Sequence, residues 1–363
     1  MATIKDIADK LGISVSTVSK GLNGGKDISD ALRQEVLAAA VELGYSSKKM
    51  KKNIEDGGGI VIFVENMKVD SEDDFGHDLV AGFRQVAYRS SLPITVEEID
   101  PEFQEAHRYE TYILEHGYTG AFLMGFALQD PWITQLETTK VPTVLLDNFI
   151  PANPHVAYVG TDSEEGIDMA VSHLFSLGHE KIAFLDGSKD SMISDQRMRA
   201  FLRSMSHHRL PLDPDMAVYG FFVADAAHYH VPSFLDMGAT AIICGNDDIA
   251  AGVIQSCRDL GFSVPEDVSV IGFDDMPFAA RLTPALSTVR QNRVELGQCA
   301  FMALQTLMAD VAVSKNLLRP SLMLRQSTAI ARPRVPVRHT DSKDSVAHVN
   351  PRLYEELLKE QQT

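Results

Sequence analysis

The stretch GISVSTVSKGLN, Gly12–Asn23, sets four hydroxyl side chains (Ser14, Ser16, Thr17 and Ser19) within six positions and puts Lys20 straight after them. Short hydroxyls at the start of a helix suit phosphate. The first N–H groups of a helix are unpaired and carry partial positive charge, and a small side chain lets the backbone come close to an anion. A cation one turn further along adds a group able to reach a base edge or a phosphate. The chemistry on offer is anion binding rather than bond making. The chain has no GxSxG elbow, no P-loop, no GxGxxG after its first apolar run and no HExxH, so it lacks the usual nucleophile, nucleotide and zinc signatures.

The elements that must position these residues are short helices. In TIKDIADKLG, Thr3 and Asp6 have capping-box spacing, and Ile4, Ile7, Ala8 and Leu11 fall on one face before Gly12 suits a left-handed stop. Ser14 then caps a second helix with Val18 and Leu22 inward, and Ser29 starts a third that buries Leu32, Val36, Leu37 and Ala40 before Gly44. A helix, a tight Gly12-Ile13-Ser14 turn and a second helix make a helix-turn-helix unit. The predicted head covers residues 1–46, and a basic, glycine-ended linker covers 47–58, with Lys48, Lys49, Lys51 and Lys52 clustered in it.

From Gly59 the pattern changes to continuous apolar runs (IVIFV, PITVEEI, TGAFLMG, VPTVLLD, KIAFLDG, TAIICG and VSVIGFDD) separated by helix-length segments. Unbroken apolarity suits parallel strands covered on both faces, which predicts an α/β body with doubly wound parallel sheets over residues 59–334. Its size favours two lobes. These are set at roughly 59–161 with 291–322, and 162–290 with 323–334. Residues 335–363 form a polar tail whose Leu353, Leu357 and Leu358 suggest a short helix.

The chain has 363 residues, 45% of them hydrophobic, and a formal net charge of −17. That charge is unevenly spread. Residues 1–53 carry nine Lys and Arg against six Asp and Glu, whereas residues 54–363 carry 24 against 44. An anionic body is repelled by nucleic acid everywhere except at the cationic head, which orients binding. No run of about 18 apolar residues could span a bilayer, and no secretory leader is legible, so a cytoplasmic location is expected. Cys244, Cys257 and Cys299 lie far apart in apolar surroundings and read as buried thiols, with no metal site.

These motifs together resemble the lactose-repressor (LacI) family of transcription regulators along nearly the whole chain. IKDIADKLGISVSTVSKGLN matches the family's DNA-binding signature, and DALRQEVLAAAVELGY matches the helix that follows it. GIDMAVSHLFSLGHEKIAFLDG, CGNDDIAAGVIQSCRDLGFSVPEDVSVIGFDD and PALSTVRQ resemble the family's effector-binding body, whose fold is like that of periplasmic sugar-binding proteins. The resemblance implies a homodimer that binds a palindromic operator and answers to a small molecule, with no cofactor.

By that resemblance Val15, Ser16 and Lys20 reach base edges, while Thr3, Ser14, Ser19 and Asn23 meet phosphates, with Thr17 in the same patch. The linker departs from the family's hinge. Ser47 stands for its proline, Lys48 for its asparagine, Lys51 for its alanine and Ile54 for its leucine wedge. This predicts a salt-dependent contact driven by Lys48 and Lys51, with Ile54 as the wedge.

The family's ligand lies between the lobes, and the matching positions here are Arg197, Asn246 and Asp274, with Gln291, Phe75 and Phe222 as further contacts. Arg, Asn and Asp supply the donors and acceptors that recognise vicinal hydroxyls, which points to a sugar. Alternatives at individual positions are a surface pair of Arg197 with Asp195 or Asp190, a capping role for Asp274, and core packing for Phe75 and Phe222. The segment Val64–Gly76 is more acidic than the family's usual loop before Phe75. Two other function classes compete, an enzyme and a transport binding protein, and neither accounts for the head. Control by a partner protein in place of a sugar is the remaining variant of the regulator reading.

Overall fold

The computed structural model describes residues 3–45, except 24, 26 and 44, together with 58–90 and 92–332. The linker positions Lys48, Lys51 and Ile54, and the tail from residue 333, lie outside the described residues.

The head consists of α1 (Ile4–Leu11), α2 (Val15–Asn23) and α3 (Asp30–Glu42). Thr3 accepts from the Asp6 N–H while the Asp6 carboxylate accepts from the Thr3 N–H at 2.7 Å, so the capping box closes. Gly12 turns the chain at φ 65°. Ile7, Ala8, Val18, Val36, Ala39 and Ala40 form a closed apolar cluster, ringed by Ile4, Leu11, Ile13, Leu22, Leu43 and Tyr45. Gly21 is where α2 and α3 come closest, since a Cβ there would lie 2.9 Å from a Val36 methyl. Of the apolar positions expected from the helical periodicity, those of α1 and α2 and Val36 and Ala40 of α3 join this cluster; Leu37 is buried outside it and Leu32 is half-buried.

The body holds β1 (Gly59–Val64), α4 (Phe75–Ala87), β2 (Ile94–Glu98), α5 (Pro101–Ala106), α6 (Tyr109–His116), β3 (Tyr118–Met124), α7 (Pro131–Leu136), β4 (Thr143–Leu146) and β5 (Val156–Thr161). There follow α8 (Ser163–Ser176), β6 (Ile182–Asp186), α9 (Met192–His207), β7 (Ala217–Tyr219), α10 (Ala226–Asp236), β8 (Ala241–Cys244) and α11 (Asp247–Asp259). The last elements are β9 (Ser269–Asp274), β10 (Ser287–Arg290), α12 (Arg293–Met308), β11 (Lys315–Leu318) and β12 (Ser321–Met323). Two six-stranded sheets result, with strand orders β11-β5-β4-β3-β1-β2 and β12-β10-β9-β8-β6-β7. Pairing is parallel wherever the apolar runs predicted it, and β12, which follows no such run, joins β10 as an antiparallel edge strand.

The chain divides into two compact units, residues 1–67, 80–159 and 297–316 in one, and 68–79, 160–296 and 317–363 in the other. In the first, Phe63 meets Trp132 edge-on on one side of the sheet, and Phe83 stacks on Phe122 with centroids 5.4 Å apart on the other. In the second, Val231, Phe234 and Val253 pack one face of the sheet while Ile167, Leu174 and Phe201 pack the opposite face. Coverage of both faces explains why these strands are apolar throughout. Cys244 and Cys257 are buried and Cys299 is half-buried, all as free thiols. Among the described residues no helix is long and apolar enough to cross a membrane.

Candidate functional site

On the head, Ser14 is consumed by structure: its Oγ accepts from the Thr17 N–H at 3.0 Å and lies 2.8 Å from the Thr17 hydroxyl. Thr3 is likewise tied into its capping box. Val15 is 49% exposed, an unusual place for an aliphatic side chain, and Ser16 and Lys20 are exposed beside it. The Lys20 ammonium lies 3.2 Å from the Asp27 carboxylate across open surface. Ser19 is half-buried, and Asn23 ends α2. Val15, Ser16 and Lys20 thus share an outward surface, which the caps at Thr3 and Ser14 hold at a fixed angle.

The second constellation lies wholly within the second unit. Its sheet reverses strand order between β6 and β8, and the carboxyl ends of strands at such a switch point are where open α/β sheets take their ligands. Arg197 is 3% exposed. Its NH1 donates to the Gly245 carbonyl at 2.7 Å, its Nε reaches Ser163 Oγ at 3.4 Å, and its guanidinium lies 3.9 Å from the Phe273 ring centre. The structure places Arg197 in the second turn of α9, behind the Ser191 cap. Asp195 pairs instead with Arg199 at 2.7 Å, so the surface-pair alternative for Arg197 fails on geometry.

Asn246 caps α11, accepting from the Ile249 N–H at 2.8 Å, and its amide donates to the Phe222 carbonyl at 3.2 Å. Phe222 is held at φ 55°, and Asp274 and Asp275 follow one another at φ 114° and 56°. Three non-glycine residues in left-handed backbone carry strain of order 1–3 kcal/mol each, and such strain clusters at ligand sites. Asp274 accepts from the Gln291 amide at 2.7 Å, and its carbonyl accepts from Arg293 at 3.1 Å. Burial pushes the Asp274 carboxyl up to about 7, against the pull of Arg197, Gln291 and Arg293. Asp275 is instead fixed by two arginines, Arg290 at 2.6 Å and Arg325 at 2.5 Å. Phe75 opens α4 as a half-buried ring.

Three groups went unread in the sequence. Asp186 ends β6 with its side chain fully buried, and burial raises its carboxyl to about 7, with Arg197 and the Gly187 N–H pulling the other way. Arg293 spans Asp274, Asp275 and the Asp78 carboxylate, the last at 2.8 Å. Asp247 is buried and accepts from Thr288 Oγ1 at 2.6 Å and the Met276 N–H at 2.7 Å, and burial lifts its carboxyl well above the usual range. The only sequence hint for Asp186 is a carboxylate closing an apolar run. His173 approaches Thr328 Oγ1 at 3.3 Å, and His179 bridges Thr240 Oγ1 and the Ala329 carbonyl. They pin a distal segment and stand apart from any reacting centre. Glu65, in the segment expected to be an acidic loop, is 3% exposed and accepts from Gln104 Nε2 at 2.6 Å. Among the described residues no cluster of His, Cys, Asp and Glu could hold a metal ion.

Comparison with known proteins agrees with this anatomy. Residues 3–48 match the family described as "Bacterial regulatory proteins, lacI family", and residues 171–328 match the "Periplasmic binding protein-like domain". The HTH-type transcriptional repressor PurR of Aliivibrio salmonicida (strain LFI1238) is 28% identical over 332 residues, covering 90% of this chain and 99% of that one. PurR of Vibrio parahaemolyticus serotype O3:K6 is 26% identical over 332 residues, at 90% and 98% coverage. The lac repressor dimer bound to operator and the anti-inducer ONPF superposes with TM-score 0.64 at 24% identity, over 90% of this chain and 99% of that chain. The CelR–cellobiose complex does so with TM-score 0.66 at 23% identity, over 90% and 100%. With a helix-turn-helix head ahead of two parallel-stranded sheets, and with both parts matched in order, the chain carries a LacI-family DNA-binding head and a periplasmic-binding-protein-like body, the anatomy of a transcriptional regulator and not of an enzyme.

Proposed function

We propose that the protein is a cytoplasmic repressor that binds a palindromic operator as a homodimer and is controlled by a small cyclic effector, a sugar in the first instance. The observation that carries this reading is the second unit's buried polar cluster. Arg197, Asn246, Asp274 and Gln291 meet at strand ends and helix starts, on strained backbone, with more hydrogen-bonding capacity than they use on one another. The Gln291 Oε1 and Ser194 Oγ atoms are buried without a partner. Such atoms are costly unless a ligand completes them.

In the head, Val15, Ser16 and Lys20 read bases, Val15 by apolar contact of the kind a thymine methyl accepts. Thr3, Ser14, Thr17, Ser19 and Asn23 form the phosphate-facing rim. Lys48 and Lys51 contact phosphate in the linker, and Ile54 is the minor-groove wedge. Phe75 and Phe222 offer faces for a ring. An effector preferring one arrangement of the protein shifts operator affinity by at most about 1.4 kcal/mol per tenfold preference. The test is selection of operator sequences in vitro with the full chain, followed by a screen of sugars, nucleobases and nucleosides for compounds that alter the gel shift. A palindromic selected site together with a small molecule that moves the shift is the expected result. A chain that selects no sequence overturns the reading, and one that answers only to added protein replaces the small effector with a partner.

A further inference from the structure

We propose that Asp186 is part of the effector site and that it selects an effector carrying a protonated amine, as an amino sugar does. The inference rests on the effector reading above and adds to it a binding residue and a charge for the ligand.

Asp186 stands at the switch point itself, ending β6 next to β8. One carboxylate oxygen, Oδ1, accepts from the Gly187 N–H at 2.8 Å, whereas Oδ2 is fully buried and has no partner. The carboxyl is locked to the rest of the cluster by two glycines. A Cβ on Gly245 would sit 2.7 Å from Asp186 Oδ1, and it is the Gly245 carbonyl that anchors Arg197. A Cβ on Gly187 would sit 2.0 Å from the Phe222 ring, so that ring lies directly over the residue after Asp186. A buried carboxylate one residue away from a glycine covered by an aromatic ring offers the two groups that hold an ammonium, by a charge-assisted hydrogen bond and a cation–π contact.

The local charges point the same way. The groups facing Asp186 are Arg197 and Asp195 from α9, and Tyr219 from β7. Asp195 is already matched by Arg199. Arg197 is shared with Asp274, which it also stabilises in the charged form. Arg293 answers to Asp78, and Asp275 to Arg290 and Arg325. Asp274 also draws on Arg293, so the one guanidinium facing Asp186 is a shared one, and a ligand that brings a positive charge completes the set, whereas a neutral polyol leaves it short.

The experiment is calorimetric titration of the full chain with matched pairs, D-glucosamine against D-glucose and D-galactosamine against D-galactose, at pH 5.5 and pH 7. The amines stay charged throughout, while Asp186 gains charge over that interval. In at least one pair the amino sugar should bind about tenfold or more tightly than its neutral parent, and tighten about tenfold from pH 5.5 to 7. Asp186→Asn should abolish both preferences. Equal binding of amino and neutral sugars, or an amine preference that survives Asp186→Asn, overturns the assignment while leaving the effector site intact. Binding by no member of any pair counts against the sugar-effector reading as well. Should Asp186→Asn fail to fold by circular dichroism, Asp186→Ser takes its place, with loss of both preferences again the expected result and their survival overturning the assignment.

Discussion

Gln291 donates its side-chain amide to Asp274 Oδ1 at 2.7 Å, joining the loop after β10 to the end of β9 while Asp274 stands at φ 114°. The bond holds one carboxylate oxygen in place and leaves the other oxygen available to a ligand. Its amide partner also fixes which way Gln291 presents Oε1, an acceptor buried without a partner. Two acceptors side by side are how a site receives the donated protons of adjacent hydroxyls.

Arg197 should prove structural as well as ligand-directed. Arg197→Met leaves the Asp186 carboxyl in the interior with no guanidinium beside it and takes one of two from Asp274, a loss of about 3–5 kcal/mol. Both carboxyls titrate near 7 when folded, well above their ordinary range. The folded state therefore binds more protons than the unfolded one between about pH 4 and 7, and stability falls as pH rises through that window. Urea midpoints at pH 5 and pH 8 should show the variant hurt more at pH 8. Equal losses at both would mean that the carboxyls do not depend on Arg197.

Glu65 makes a similar case in the first unit. Burial and the neighbouring Asp130 carboxyl hold its proton on well above the usual carboxylate range. Glu65→Gln keeps an acceptor for the Gln104 amide and removes the titration. The variant should equal the parent at pH 5 and exceed it at pH 8, flattening the stability profile measured by chemical denaturation.

Two serines two residues apart should separate stability from recognition. Ser14→Ala removes the cap on α2 and should cost about 1 kcal/mol of stability, together with operator affinity. Ser16→Ala removes an exposed hydroxyl and should leave the melting temperature within a degree or so while changing the selected operator sequence. Identical melting losses in the two variants would contradict this division.

Lys20→Ala should weaken operator binding by about 1–3 kcal/mol and relax a single base position in each half-site. Lysine makes a less directional contact with guanine than a forked arginine, so Lys20→Arg should sharpen that same position. Sequencing of selected sites from the three proteins reads both outcomes.

The head was legible in the sequence because capping and helical periodicity are local. Thr3 with Asp6, Gly12, Ser14 and the Ile7–Val18–Val36 core all follow from spacings of three and four. The two-sheet body was legible from unbroken runs such as IVIFV. Short, mixed-polarity strands such as Ala217–Tyr219 and Ser321–Met323 carry no run and gave no signal, which is how the antiparallel edge went unseen. Asp186 was hidden for another reason. A carboxylate after apolar letters reads as the end of a strand, and only the fold shows that the strand ends inside the protein beside Arg197.

Asp274 and Asp275 are neighbours that answer to different masters. The first turns to Gln291, Arg293 and Arg197, and the second is bolted by Arg290 and Arg325 to β10 and the segment after β12. With Asp274 in the proposed effector site, specificity and scaffold fall to separate letters of one dipeptide. A lineage could exchange the ligand-facing residue for another polar side chain, and so take up a new signal, while the fastening one step along keeps the frame unchanged.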